Sequence, residues 1–210
     1  MDVAAADSAE TERLLEKVRA GDRQAFDQLF ARHRPYLRQV VRLRLDPQLQ
    51  PRVDASDVVQ ETQMEAFRRL ADFLDRRPMP FRLWLRKTAC ERLIMVQRRH
   101  VGAARRSVER EVSIPERSSL QIARQFLARG SSPSQRLNRR EVAQQVRQAL
   151  AQLSETDREL LLMRNLEALS NHEVAQVLQI NPVAASQRYG RALLRLRQLF
   201  VERGLMGEQP

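Results

Sequence analysis

The sequence predicts an all-α protein of two small helical domains joined by a flexible linker, the C-terminal one a helix-turn-helix. Three observations predict it. Apolar residues recur at helical spacing along most of the 210 residues, and no stretch alternates like a half-buried strand. That periodicity weakens over residues 101–133, where paired arginines, serine pairs, Pro115, Gly130 and Pro133 read as a linker. Near the end, two amphipathic stretches flank a turn, and each stretch carries its own capping residues.

The first amphipathic segment covers residues 11–20 and stops at Gly21 and Asp22. A helix over 23–45 follows, with Phe26, Leu29, Phe30, Leu37, Val40 and Val41 at helical spacings. Pro35 inside it predicts a kink or a fresh helix start. Asp46, Pro47 and Pro51 mark a loop, after which Asp54 is placed to cap a helix over 55–74. Arg76, Arg77, Pro78, Met79 and Pro80 make the next break, and residues 81–99 are helical again. One short helix around 120–128 is expected within the linker. Residues 134–153 read as a helix, and Ser154 with Asp157 caps another that runs to about residue 165.

Ser170 followed three residues later by Glu173 is a capping box, which starts a helix at Asn171. Val174, Ala175 and Leu178 give that helix one apolar stripe, and Ile180 is placed to plug a corner. Asn181 caps the next helix, with Pro182 at its first position, where a missing N–H costs nothing. This is the helix-turn-helix pattern, whose second helix enters the major groove of DNA. The domains expected are therefore residues 1–100 and 134–210, with 101–133 between them.

Composition narrows the function. Hydrophobic content of 42% with 30% charged residues describes a folded globular chain. A net charge of +11 points to an anionic partner, nucleic acid before a membrane surface. Lys17 and Lys87 are the only lysines, so the positive charge is almost all arginine, which suits bidentate contacts to phosphate and guanine. Arginine-favouring codon bias is a competing account of that ratio, though not of the net charge. Cys90 is the only cysteine; no internal disulfide is possible, and its thiol reads as packing.

The polar first residues exclude a signal peptide, and nowhere do about 18 apolar residues run together, so a cytoplasmic protein without membrane insertion is expected. His33, His100 and His172 are scattered without ligand spacing, and no metal or cofactor is expected. No phosphate-binding glycine loop or nucleophile elbow is present, so no enzyme is expected.

Residues 57–73, projected at helical period, have two different faces. Val59, Ala66, Leu70 and Phe73 fall in one arc and should be buried. Asp57, Glu61, Met64 and Arg68 share the opposite side, with Gln60 at its border. An ordinary solvated face is one reading of that mixture. The string Asp57, Val58, Val59, Gln60, Glu61 supports another. It resembles the docking string of bacterial RNA polymerase sigma factors of the sigma-70 class, specifically the extracytoplasmic-function type. Gln63 stands where that family usually has an aromatic.

The resemblance continues in order. Phe81 to Ala89 is similar to the family's promoter-melting helix, and Leu153 to Met163 to the helix that precedes its helix-turn-helix. It implies that Asp57, Gln60 and Glu61, with Met64 and Arg68 beside them, dock on the β′ clamp helices of core polymerase. It also implies that the loop from Arg76 and Arg77 to Pro80, with Arg82, captures a flipped base of the minus-ten element. From the residues themselves, Phe81, Leu85, Thr88, Ala89, Met95 and Val96 form an apolar arc, with Trp84 at its edge. Arg82, Arg86, Lys87 and Arg98 lie off that arc, where they can follow phosphates, and Arg99 projects from the helix end. Trp84 is either core or a stacking platform for unpaired bases. Glu91 and Met95 stand where many relatives have Asn and Asp.

In the last helix the resemblance assigns Ser186, Gln187 and Arg191, with Arg188 nearby, to the minus-thirty-five duplex. Gln pairs with adenine and Arg with guanine. The partners implied are core RNA polymerase (β′ and β), promoter DNA and an anti-sigma factor. The competing reading is an autonomous helix-turn-helix regulator that binds operator DNA as a dimer. The face from Asp57 to Arg68 separates the two, because a free regulator has no need of it.

Overall fold

The computed structural model describes residues 3–46, 49–102, 121–122 and 139–207, and among them there is no strand. The regular elements are α1 (Val3–Arg19), α2 (Arg23–Arg42), α3 (Ala55–Arg68), α4 (Leu70–Arg76) and α5 (Phe81–Gly102), then α6 (Arg139–Ala151), α7 (Glu155–Asn165), α8 (Asn171–Leu178) and α9 (Pro182–Glu202). The chain divides into two compact units. One comprises Met1–Val41 with Val53–Gly102, the other Arg42–Arg52 with Ala103–Pro210.

In the first unit, α2 buries Phe26, Leu29, Phe30, His33, Leu37, Val40 and Val41, the stripe that a 3.6-residue period dictates. Pro35 neither kinks the chain into two helices nor restarts it. Pro35 and Ala31 both face solvent, so water can reach the Ala31 carbonyl that loses its amide partner. α1 begins earlier than the amphipathic pattern implied, because Ala4, Ala5 and Ala6 are strong helix formers.

The Asp54 carboxylate accepts the Ser56 amide and starts α3. The single helix expected over 55–74 is two helices meeting at Arg69 (φ −95°, ψ 5°). The Arg69 guanidinium pins this junction, lying 2.6 Å from Glu65 and 2.8 Å from Glu91 on α5. The Glu91 hydrogen bond, opposed by partial desolvation, raises the arginine's pKa above its usual value. Periodicity carries no trace of that contact, which crosses between helices.

α5 packs along α3. Its buried surface is wider than one arc: Leu83 and Leu93 are enclosed as well as Phe81, Leu85, Ala89 and Val96, while Met95, expected inside, is 41% exposed. The reason is that neighbours clasp α5 from more than one side. The Phe81 ring lies 5.6 Å from His33 of α2 and 5.3 Å from Phe73 of α4, and Trp84 lies 4.6 Å from Phe73. Each such ring pair contributes about 0.5–1.5 kcal/mol beyond area burial. The Thr88 hydroxyl donates to the Trp84 carbonyl at 3.0 Å, so this buried polar group is satisfied.

In the second unit, α9 packs against α6, α7 and α8 around Val146, Leu150, Leu160, Met163, Val174, Leu196 and Phe200. The Ser154 hydroxyl accepts the Asp157 amide at 3.1 Å and caps α7. Arg44 joins this unit through Glu159, at 2.8 Å, and through Glu167, whose side chain is fully enclosed. A carboxylate out of water is tolerated only with such a partner. Of the expected short helix over 120–128, Gln121 and Ile122 are helical; its remainder, residues 134–138 and most of the expected flexible linker lie outside the described residues.

Phe73 is the ring shared by Phe81 and Trp84, so Phe73→Ala is expected to destabilise the protein by about 3–5 kcal/mol. Denaturant unfolding of the full chain checks this. A loss near zero would mean that the cluster does not organise the first unit.

Candidate docking face and nucleic-acid interface

The inner side of α3 is closed. Val58, Val59 and Ala66 are buried, and Thr62 is enclosed with its hydroxyl donating to the Val58 carbonyl at 2.7 Å. The outer side is open. Asp57, Gln60 and Arg68 are exposed, Met64 is 59% exposed, and Glu61 is half-buried with Arg99 at 3.8 Å. Asp57 also lies in the first turn, where the helix dipole favours an acid, so its charge has a local use as well.

Beside Met64, the Phe67 ring is 49% exposed and packs edge-on against Phe26 at 5.2 Å. Arg23, Phe26, Asp27, Gln60, Gln63, Met64 and Phe67 line a shallow depression of about 520 Å³. Gln63 fastens its wall, donating to Asp27 and accepting from Arg34, each at 3.1 Å. Two exposed apolar side chains ringed by amides and charges make a surface suited to a partner helix.

The cations at and beyond α4 are differently disposed. Arg76 is exposed and pairs with Asp72 at 2.8 Å. Arg77 has a left-handed backbone (φ 38°) and is ion-paired with Glu12. The Arg82 guanidinium lies 4.2 Å from the centre of the Tyr36 ring. Lys87, Arg98 and Arg99 face solvent, whereas Trp84 and Arg86 are buried. Arg86 is inside because α5 is clasped on more than one side, so a position off the apolar arc is still covered.

The helix-turn-helix forms at the residues that its caps dictate. The Ser170 hydroxyl accepts the Glu173 amide at 3.2 Å, and the Glu173 carboxylate accepts the Ser170 amide at 2.8 Å. Gln179 takes the left-handed conformation (φ 54°) that turns the chain. Asn181 then caps α9 by accepting the Ala184 amide at 2.7 Å. Val174 and Ala175 are buried, while Leu178 and Ile180 are half-buried.

Two further contacts fix α9. The Asn171 side-chain amide donates to the Pro182 carbonyl at 2.7 Å, and the Tyr189 hydroxyl donates to the Asn165 side-chain carbonyl at 3.0 Å beneath the Arg164 guanidinium. Val183, Ser186, Gln187 and Arg191 are thereby left exposed on the outer side. Arg188 is partly covered, 3.5 Å from Asp157. A Cβ at Gly190 would meet nothing within 4 Å, so internal packing does not require glycine there.

Sigma-70 region 2 matches residues 29–101 and sigma-70 region 4 matches residues 143–196. The chain is 31% identical over 183 residues to the RNA polymerase sigma-H factor of Pseudomonas aeruginosa, covering 86% of this chain and 89% of that one. The chain belongs to the sigma-70 family, as an extracytoplasmic-function sigma factor. It is also 29% identical over 181 residues to the sigma factor CnrH of Cupriavidus metallidurans, covering 86% of this chain and 89% of CnrH.

The structure of CnrH with the cytosolic domain of CnrY superposes with a TM-score of 0.55 at 26% identity, over 93% of this chain and 97% of that one. RpoE of Bartonella quintana, solved with the anti-sigma factor NepR, shares the fold at a TM-score of 0.50 and 19% identity, over 83% of this chain and 96% of that one.

As a sigma factor the protein initiates transcription: it binds core RNA polymerase and directs it to promoters. The autonomous regulator is not favoured, since the region 2 match has no place in it. Within this sigma factor, the α3 face and the cations of α4 and α5 lie in the region 2 match, and Ser186 to Arg191 lie in the region 4 match. Among the described residues no three His, Cys, Asp or Glu gather as metal ligands, and no helix is long and apolar enough to cross a membrane.

Sequence reasoning passed over Phe67 as a surface residue, because an aromatic at helical spacing reads as core. It passed over the Gln63 bridge, because both partners lie on another helix. For Tyr189, the ring and the hydroxyl make separable contributions. Tyr189→Phe should cost about 1 kcal/mol of unfolding free energy through the lost hydrogen bond. Tyr189→Leu should cost more, since the stack with Arg164 goes as well. Equal stability of the two variants in denaturant melts would rule out a role for the ring.

Proposed function

We propose that the outer face of α3 is the docking surface for the β′ clamp helices of core polymerase. Asp57 and Glu61 meet basic groups there, Gln60 hydrogen-bonds, and Arg68 borders the contact. Met64 supplies the apolar centre, with Phe67 beside it. The observation that carries this reading is the open side of α3, which sets two acids next to a largely exposed methionine while the inner side is fully occupied. Residues 1–100 then act as the region 2 domain, 101–133 as the tether and 134–210 as the region 4 domain. A shared polymerase platform raises the effective concentration of each DNA-binding domain for its own promoter element.

In promoter opening, the turn from Arg76 to Pro80 takes up a flipped base of the minus-ten element. Unstacking that base costs a few kcal/mol, which contacts in the turn must offset. Lys87 and Arg98 are exposed cations for the backbone, while Arg76 leaves Asp72, Arg99 leaves Glu61 and Arg82 leaves the Tyr36 ring to reach a phosphate. Trp84 and Arg86 support the helix from within. In the second unit, Gln187 and Arg191 read base edges of the minus-thirty-five duplex, and Ser186 touches its edge. Arg188 exchanges Asp157 for a phosphate.

The protein works by binding alone, without catalysis or a cofactor, in the cytoplasm where core polymerase resides. An anti-sigma factor is a further partner, as in the complex of RpoE with NepR.

Asp57→Arg with Glu61→Arg is expected to weaken association with core polymerase at least about tenfold, because buried interface charges that are reversed repel their former partners. Circular dichroism should show the helical fold intact, with only a small fall in melting temperature from the lost first-turn acid and the lost Glu61–Arg99 pair. Undiminished co-purification with core enzyme would refute the docking assignment. For the duplex contact, Arg191→Ala should lower initiation from mapped promoters about tenfold, the size of one lost bidentate base contact. Binding to core should stay as it was; equal losses in both assays would instead indicate a misfolded second unit.

A further inference from the structure

Arg77 stands in the promoter-facing turn of the proposed function, yet its backbone is constrained locally and its side chain is held by α1. Its backbone is left-handed (φ 38°), a conformation that non-glycine residues hold only when their surroundings enforce it. Pro78 follows and disfavours a helical conformation at Arg77, so the turn cannot relax by extending α4. The Arg77 guanidinium is ion-paired with Glu12 of α1, 65 residues away. A second α1 side chain reaches the same place, since Arg19 donates to the Leu74 carbonyl. That carbonyl is one of the C-terminal acceptors that a helix cannot satisfy by itself.

Glu12 and Arg19 are seven residues apart, hence on one face of α1. Leu14, Leu15 and Thr11 anchor that helix by burial. The turn itself is short. The Arg77 amide closes α4 on the Phe73 carbonyl at 2.8 Å, and the Pro80 carbonyl already accepts the Leu83 and Trp84 amides of α5. Between those two closures the backbone has few ways to move, and α1 grips its first residue.

We propose that α1 positions the promoter-facing turn, and that the Arg77 charge is used by Glu12 and not by a DNA phosphate. Glu12 and Arg77 are then positioning residues. They hold the turn in the conformation that receives a base, so that less ordering remains to be done when promoter DNA arrives. This rests on the sigma-factor reading of the turn given above.

The test is a charge exchange in the full-length protein: Glu12→Arg, Arg77→Glu, and both together. Three quantities are compared: run-off transcription with core polymerase on mapped duplex promoters, binding to core, and amide exchange over residues 74–79 without polymerase. Each single variant should lower initiation about fivefold, the scale of an exposed ion pair. Each should also speed exchange in the turn, with core binding unchanged.

The double variant should recover initiation to within about twofold of the parent and restore slow exchange, because the pair is re-formed with its charges reversed. A double variant that regains slow exchange but initiates as poorly as Arg77→Glu would overturn the proposal and give Arg77 to DNA. Unchanged exchange in both single variants would overturn it too, by removing the grip of α1. Failure of the parent protein to initiate at any promoter would refute the placement of the turn on DNA, whereas exchange reports on the Glu12 contact independently.

Discussion

A helix of 3.6 residues per turn cannot bury all its sides and also offer one to a partner, and α3 lives under that constraint. Its inner residues are small or β-branched, Val58, Val59, Thr62 and Ala66, so α5 can lie close against it. Thr62 is accommodated because its hydroxyl is satisfied within the helix. With the fold secured on that side, the outer residues are released from packing duty. Gln60 and Met64 serve the surface alone, while Asp57 also suits the first helical turn and Arg68 also lies 3.6 Å from Glu65. The separation lets recognition change without loss of the core, and it makes the exposure of Met64 and Phe67 informative.

The arginines of the chain follow the same division between structure and surface. A guanidinium is always charged, and so it needs water, a carboxylate, a carbonyl or an aromatic face. Arg69 finds Glu65 and Glu91 and thereby locks α3, α4 and α5 together. Arg44 is ion-paired with Glu167, an acid whose side chain is fully enclosed. Arg164 lies over Tyr189 and steadies the helix that presents Gln187 and Arg191. Lys87, Arg98 and Arg191 remain largely exposed. A high net charge therefore overstates the cations available to DNA, because part of it is consumed inside the fold.

The helix-turn-helix is stabilised locally first and globally second. Ser170, Glu173 and Asn181 satisfy the helix ends within a few residues. Gln179 adopts the left-handed turn without glycine, at a local cost of order 1 kcal/mol. Ile180 donates back to the Ala175 carbonyl at 3.0 Å, and Asn171 reaches the Pro182 carbonyl. These contacts set the angle between α8 and α9, and with it which residues of α9 point outward.

The sequence alone determined what depends on neighbours along the chain. Helical periods, the Asp54, Ser154, Ser170 and Asn181 caps, the two-faced character of α3 and the order of the family strings were all legible, because each is local or repeats regularly. Tertiary structure alone decided what depends on residues far apart. It set the break at Arg69, the enclosure of Arg86 and the exposure of Met95, because α5 is covered by helices whose approach no single-helix projection contains. It also paired Arg77 with Glu12, Arg188 with Asp157 and Gln63 with Asp27. Which side chain meets which across a gap is fixed by how the helices pack, and one helix's pattern does not carry that information.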